Sequence, residues 1–133
     1  MAELDEEMIA FAHRMFDLAR SGGTEELIGN VTGGLPPNLT NDKGDTLLIL
    51  AAYHNHVDTV IALLEQGAEP DRVNDRGQSA LSAAVFRQNP ETVKALLAAN
   101  ADPRGGTPSA LETAEFFKLP EMTALLHGAG SQS

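Results

Sequence analysis

The chain has 133 residues, a formal net charge of −10 from nineteen Asp and Glu against nine Lys and Arg, and no cysteine. At this length one core is expected, because two independent units would each be too small to bury enough apolar surface. The acidity leaves no basic footprint for nucleic acid or an anionic membrane, and the missing thiols exclude a disulfide framework, a thiolate metal site and a cysteine nucleophile.

Nineteen alanines beside only six aromatic residues point to closely packed helices rather than a β-sandwich. The first residues, Met1 to Glu7, are acidic where a leader needs basic ones, and no run approaches the roughly 18 apolar residues of a membrane span, so a cytoplasmic protein is expected. Asn30-Val31-Thr32 and Asn38-Leu39-Thr40 therefore match the glycosylation pattern only formally. A helix is predicted over roughly 5–20 and a short second one from Thr24 to about Asn30, ended by the stretch Thr32 to Pro37. From Asn41 the chain repeats itself at an offset of 33. Asn41-Asp42-Lys43-Gly44-Asp45-Thr46 lies over Asn74-Asp75-Arg76-Gly77-Gln78-Ser79, Tyr53 over Phe86, and Leu63-Leu64 over Leu96-Leu97. A fourth copy needs an offset of 30, which sets Ser109 over Ser79 and Phe116 over Phe86.

Each unit reads as a turn followed by two short helices. Gly44 and Gly77 supply the positive φ of a tight turn. Thr46, Ser79 and Ser109 stand where a hydroxyl can cap the first helix. Second helices start near Asp58, Glu91 and Glu121, acids suited to the positive end of the dipole, and Gly67, Asn100 and Gly130 are expected to end them. The units run approximately over 5–40, 41–73, 74–105 and 106–130, in one domain spanning 1–133 with a disordered tail at 131–133.

This pattern resembles the ankyrin-repeat family, whose 33-residue unit carries a Thr-Pro-Leu-His-x-Ala signature. Its marks here are Asn41-x-x-Gly44-x-Thr46-x-Leu48, Ala51-Ala52, Asn55-His56 and Gly67-Ala68. The signature Pro is replaced by Leu47, Ala80 and Ala110 and its His by Ile49, Ser82 and Glu112, so the bonds that His makes between repeats are lost. The resemblance implies an all-α ankyrin-repeat solenoid of about four helix-turn-helix units, two internal and two capping, with hairpin-like loops. The short capped chain is similar to stand-alone bacterial members of the family and is expected to be a monomer.

No nucleophile elbow, phosphate-binding loop or His-Glu-x-x-His pattern occurs, so no catalytic residue and no cofactor is expected. His54 and His56 have the one spacing that invites a metal, but residues two apart on a helix point in different directions, and none is expected there. The resemblance implies protein binding through the turn tips and the concave side of the first helices. Transferred residue by residue, the helix positions are Arg20, Tyr53, His54, Phe86, Arg87, Phe116 and Phe117. The tip positions are Asp42, Lys43, Asp45, Asp75, Arg76 and Gln78. Repeats stack about 10 Å apart, so Tyr53, Phe86 and Phe116 are expected to form a continuous aromatic row that anchors an interface. The competing reading has these rings lean between first helices as core. The acidic excess is expected on the convex back and sides, leaving a face suited to carboxylates and an apolar anchor. The expected function is thus a non-catalytic protein-binding module with a protein partner. The alternatives are a regulatory subunit or inhibitor of a partner enzyme and, remotely, a small metal-dependent hydrolase resting on His54 and His56.

Overall fold

The computed structural model describes residues 2–131 and contains eight α-helices among them. They are α1 (Ala2–Ser21), α2 (Thr24–Thr32), α3 (Leu47–Tyr53), α4 (Val57–Glu65), α5 (Ala80–Phe86), α6 (Pro90–Ala98), α7 (Ala110–Phe116) and α8 (Pro120–Ser131). Odd-numbered helices pack side by side in one row and even-numbered helices in a second, each pair joined by a tight corner. The result is a two-layer solenoid, all-α as expected.

Hydroxyl caps set where the inner helices begin. Thr46 accepts from the Ile49 amide at 3.0 Å, Ser79 from the Ser82 amide and Ser109 from the Glu112 amide, both at 3.1 Å. At the last two the reciprocal bond is also made, since Ser82 Oγ and Glu112 Oε1 accept from the Ser79 and Ser109 amides at 2.9 Å. These capping boxes satisfy two orphan amides each and occupy the positions where the family signature has His. Pro90 opens α6 at a place where a missing amide costs nothing.

The inner row is alanine-rich because its helices must approach closely. Ala19, Ala51, Ala52, Ala80, Ala83, Ala84, Ala110 and Ala114 are all at most 1 % exposed. The outer row contributes larger groups to the same core, among them Leu27, Val60, Leu63, Val93, Leu96, Met122 and Leu126.

Turn tips tie neighbouring units together. Asn41 Oδ1 accepts from the amides of Lys43 and Asp45, and Asn74 Oδ1 from those of Arg76 and Gln78. The Asp75 amide then donates to the Lys43 carbonyl at 3.0 Å, and the Thr107 amide to the Gly77 carbonyl at 2.9 Å. Gly44 (φ +78°) and Gly77 (φ +79°) adopt the expected left-handed conformation, and a Cβ on Gly77 would lie 2.6 Å from the Thr107 carbonyl oxygen. These main-chain bonds couple the repeats where the family's His is missing.

Outer helices α4 and α6 stop as expected at Gly67 (φ +93°) and Asn100 (φ +69°). At each stop the amide of the following residue returns to the carbonyl of Leu63 or Leu96. Gly130 does not stop α8, which continues to Ser131. Glycine permits a left-handed stop without requiring one, and within a helix it costs only about 1 kcal/mol. Helix α1 begins earlier than expected, at Ala2, and α2 extends to Thr32. Of the expected tail, Ser131 is the last residue of α8 and 132–133 lie outside the described residues.

Candidate functional site

The inner helices α3 and α5 are buried along their whole length except at their C-terminal ends. Side chains that leave the core on this face are therefore confined to the tips before each helix and to its last residue and cap. Between these two borders runs a groove of about 1110 Å³. Ile49, Leu50, Ser82 and Thr113 form its floor, the tip residues Asp42, Lys43, Asp75, Arg76 and Gln78 one side, and Arg20, Tyr53, His54, Phe86 and Phe117 the other. Asp45 also lines it but is buried, its carboxylate accepting from Asn74 Nδ2 at 2.8 Å. The structure thus brings eleven of the thirteen residues singled out from the sequence to one concavity; Arg87 and Phe116 are not on its wall.

The rings make an unbroken chain by a different path from the one expected. Tyr53 and Phe86 stack with centroids 6.3 Å apart and planes 10° from parallel. Phe86 next meets Phe117, not Phe116, edge-on at 5.5 Å. Arg87 explains the change: its guanidinium carbon lies 5.1 Å from the Tyr53 centroid, so the cap residue of one inner helix leans over the last ring of the preceding helix. Phe117 is the cap residue of α7 and makes the same diagonal contact with Phe86. Phe116 is left 79 % exposed, its ring meeting that of Phe117 edge-on at 4.9 Å. None of these rings belongs to the buried core; Phe86 and Phe117 are 44 % and 49 % exposed, and Tyr53 is half-buried.

The two histidines have separate surroundings. His56 Nε2 lies 2.7 Å from the Arg20 carbonyl and ties the first unit to the second. His54 is largely exposed beside Tyr53, and the partial loss of water around its ring, followed by repulsion from His56, Arg20 and Arg87, holds its pKa below the ordinary value. Among the described residues no group of three His, Asp or Glu is placed to hold a metal ion.

Charge is unevenly shared. The groove lining holds three cations, Arg20, Lys43 and Arg76, and three carboxylates, Asp42, Asp45 and Asp75, so the net charge of −10 lies entirely elsewhere. Sequence reasoning missed the floor. Ile49 and Ser82 share one repeat position, three residues after the cap, and that shared register was the signal that could have found them.

A stack of turn-helix-helix units with buried inner helices and projecting tips defines a repeat protein. The ankyrin-repeat family model, in three copies, matches residues 15–105, and the chain belongs to that family. It is also similar to the ankyrin repeat protein PA3287 of Pseudomonas aeruginosa, 57 % identical over 58 residues. That match covers 44 % of this chain and 34 % of the relative, so it spans about a third of the relative's length. Ankyrin repeats are generally protein-interaction modules and typically non-catalytic. No helix among the described residues is long and apolar enough to cross a membrane.

Proposed function

We propose that the concave groove holds a segment of a protein partner and that the chain acts as a non-catalytic interaction module. The observation that carries this reading is the solvent-open chain of rings from Tyr53 through Phe86 to Phe117 along one side of the groove. Aromatic side chains left in water on a surface the core does not need are the groups that anchor interfaces, because they bury large rigid area at small entropic cost. The groove's balanced charge, in a chain otherwise strongly acidic, removes the repulsion that the rest of the surface would impose on an acidic partner.

The test is affinity capture with wild-type bait beside a Tyr53→Ala/Phe86→Ala/Phe117→Ala bait. Because Phe86 and Phe117 are nearly half in water, each truncation should cost well below the ~3–5 kcal/mol of a buried phenylalanine, and the triple variant should remain folded. Partners held by wild type and lost by the folded variant support the proposal. A partner retained by the variant, or cross-linked to α4 or α6, would refute it.

A further inference from the structure

We infer that Arg20, His54 and Arg87, at the C-terminal ends of α1, α3 and α5, form a subsite for a carboxylate on the bound segment, read together with an aromatic neighbour on the ring chain. The inference rests on the groove being the binding surface, whose wall includes Arg20 and His54 while Arg87 stands at its rim over the Tyr53 ring, and adds the chemistry of what it prefers.

The three groups end successive inner helices. Arg20 lies in the last turn of α1, His54 caps α3 and Arg87 caps α5. A cation at a helix C-terminus is favoured by the dipole, but α3 and α5 have only seven residues each, and adjacent ends bring the cations within each other's field. His54 registers that field: the charges acting on it, from His56, Arg20 and Arg87, are all positive. His56 is engaged with the Arg20 carbonyl, which leaves the other three.

The charge of the two arginines is at most weakly engaged inside the chain. Ion pairs among the described residues join Arg14 to Glu26, Arg20 to Asp17 and Arg72 to Glu69. Arg87 is in none of them; its guanidinium rests against the Tyr53 ring, which fixes the side chain while leaving its N–H edges to bind. The Arg20–Asp17 pair is at the surface, with Asp17 73 % exposed, and such pairs are weak enough to exchange for a better partner. In a chain with nineteen acidic residues, a cationic cluster beside an open ring chain selects for an anion brought by something else. The planar edge of arginine matches a carboxylate, and the adjacent Tyr53 and Phe86 offer the apolar half of the contact.

The full-length chain, 15N-labelled, is titrated with acetylated, amidated hexapeptides that alternate Glu with Phe or Gln with Phe. The expected result is binding of the Glu peptide about tenfold tighter, the worth of one good charge-assisted contact, with shifts at His54 and the Arg87 side chain. The overall charge of −10 would by itself produce the opposite preference, so the sign is diagnostic. In Arg20→Gln/Arg87→Gln the preference should fall below about twofold, while shifts at Tyr53 and Phe86 persist. A Gln peptide with a free C-terminus that gains the same tenfold assigns the subsite to a chain end rather than an acidic side chain. Equal binding of the Glu and Gln peptides in the groove, or a preference that survives the double variant, overturns the subsite and leaves the groove proposal standing. No binding, or shifts confined to the outer helices, overturns both.

Discussion

Thr92 offers the sharpest test of the packing logic. It sits at the third position of α6, fully buried, and its hydroxyl has no hydrogen-bond partner. The same position in the preceding unit is Thr59, also fully buried, whose hydroxyl pairs with that of Thr24 at 2.6 Å. Thr24 opens α2, and the residue that opens α4 in its place is Val57. Thr92 is therefore stranded because its counterpart one repeat back is apolar. Burying an unpaired hydroxyl costs about 1–3 kcal/mol, and valine has the same shape without it. Thr92→Val should stabilise the chain by about 1 kcal/mol and raise the melting midpoint by about 3–5 °C. The Asn89 cap survives, since it uses the Thr92 amide. Val57→Thr should also stabilise by supplying the missing partner, yet the double variant should lose most of that second gain. Thermal and urea unfolding of the wild type, both single variants and the double variant complete the cycle. A midpoint that is unchanged or lowered in Thr92→Val would refute the reasoning.

Other substitutions separate backbone strain from crowding. Gly67 and Gly77 share a left-handed φ, but a Cβ meets nothing within 4 Å at Gly67 and backbone at 2.6 Å at Gly77. Gly67→Ala should cost about 1–2 kcal/mol in urea unfolding and Gly77→Ala clearly more, with a smaller loss at Gly77 counting against the tip contact. Gln88 holds φ +56° at the corner between α5 and α6. Gln88→Gly should stabilise by about 0.5–1 kcal/mol, the strain relieved less the added freedom of the unfolded chain. His54 should titrate below the ordinary histidine range of about 6.5 by NMR and move up in Arg87→Gln or added salt. Because its folded pKa is lowered, the unfolded chain binds more protons in that interval. The His54 contribution therefore weakens stability as pH falls below about 6.5 and levels off below the folded value.

The fold was legible because its determinants are local. Thr46, Ser79 and Ser109 announce their helices as caps, and Asn41 with Gly44 announces a turn, whatever the rest of the chain does. The groove followed from register, since tip and helix-end positions recur every unit. What the sequence hid depends on contacts across units. The replacement of Phe116 by Phe117 in the ring chain needs the diagonal lean of cap residues, visible only once α5 and α7 are packed. The reciprocal bonds of Ser82 and Glu112 are readable as a capping pattern, three residues after Ser79 and Ser109, at the position where the family has its histidine. The lone hydroxyl of Thr92 has no sequence signature, because its burial comes from one neighbour and its isolation from another.

The ties between units are also unequal along the stack. The first unit is pinned to the second by His56 on the Arg20 carbonyl and by the Thr24–Thr59 pair, and the loop after α2 reaches the loop after α4 through Asn38 Oδ1 and the Glu69 amide. Helices α7 and α8 are joined to the third unit by main-chain bonds, the Thr107 amide to the Gly77 carbonyl and the Leu111 amide to the Pro103 carbonyl, and by the Phe86–Phe117 ring contact, with no side-chain hydrogen bond across that joint among the described residues. In an array whose stability is a sum of unit and interface contributions, the weakest joint opens first. Unfolding should therefore start at the α7 end and run toward α1, taking Phe117 out of the groove while Tyr53 and Phe86 still stand. The ring chain is thereby divided into a durable pair and a detachable third member, so the groove's reach varies with how firmly its last unit is seated.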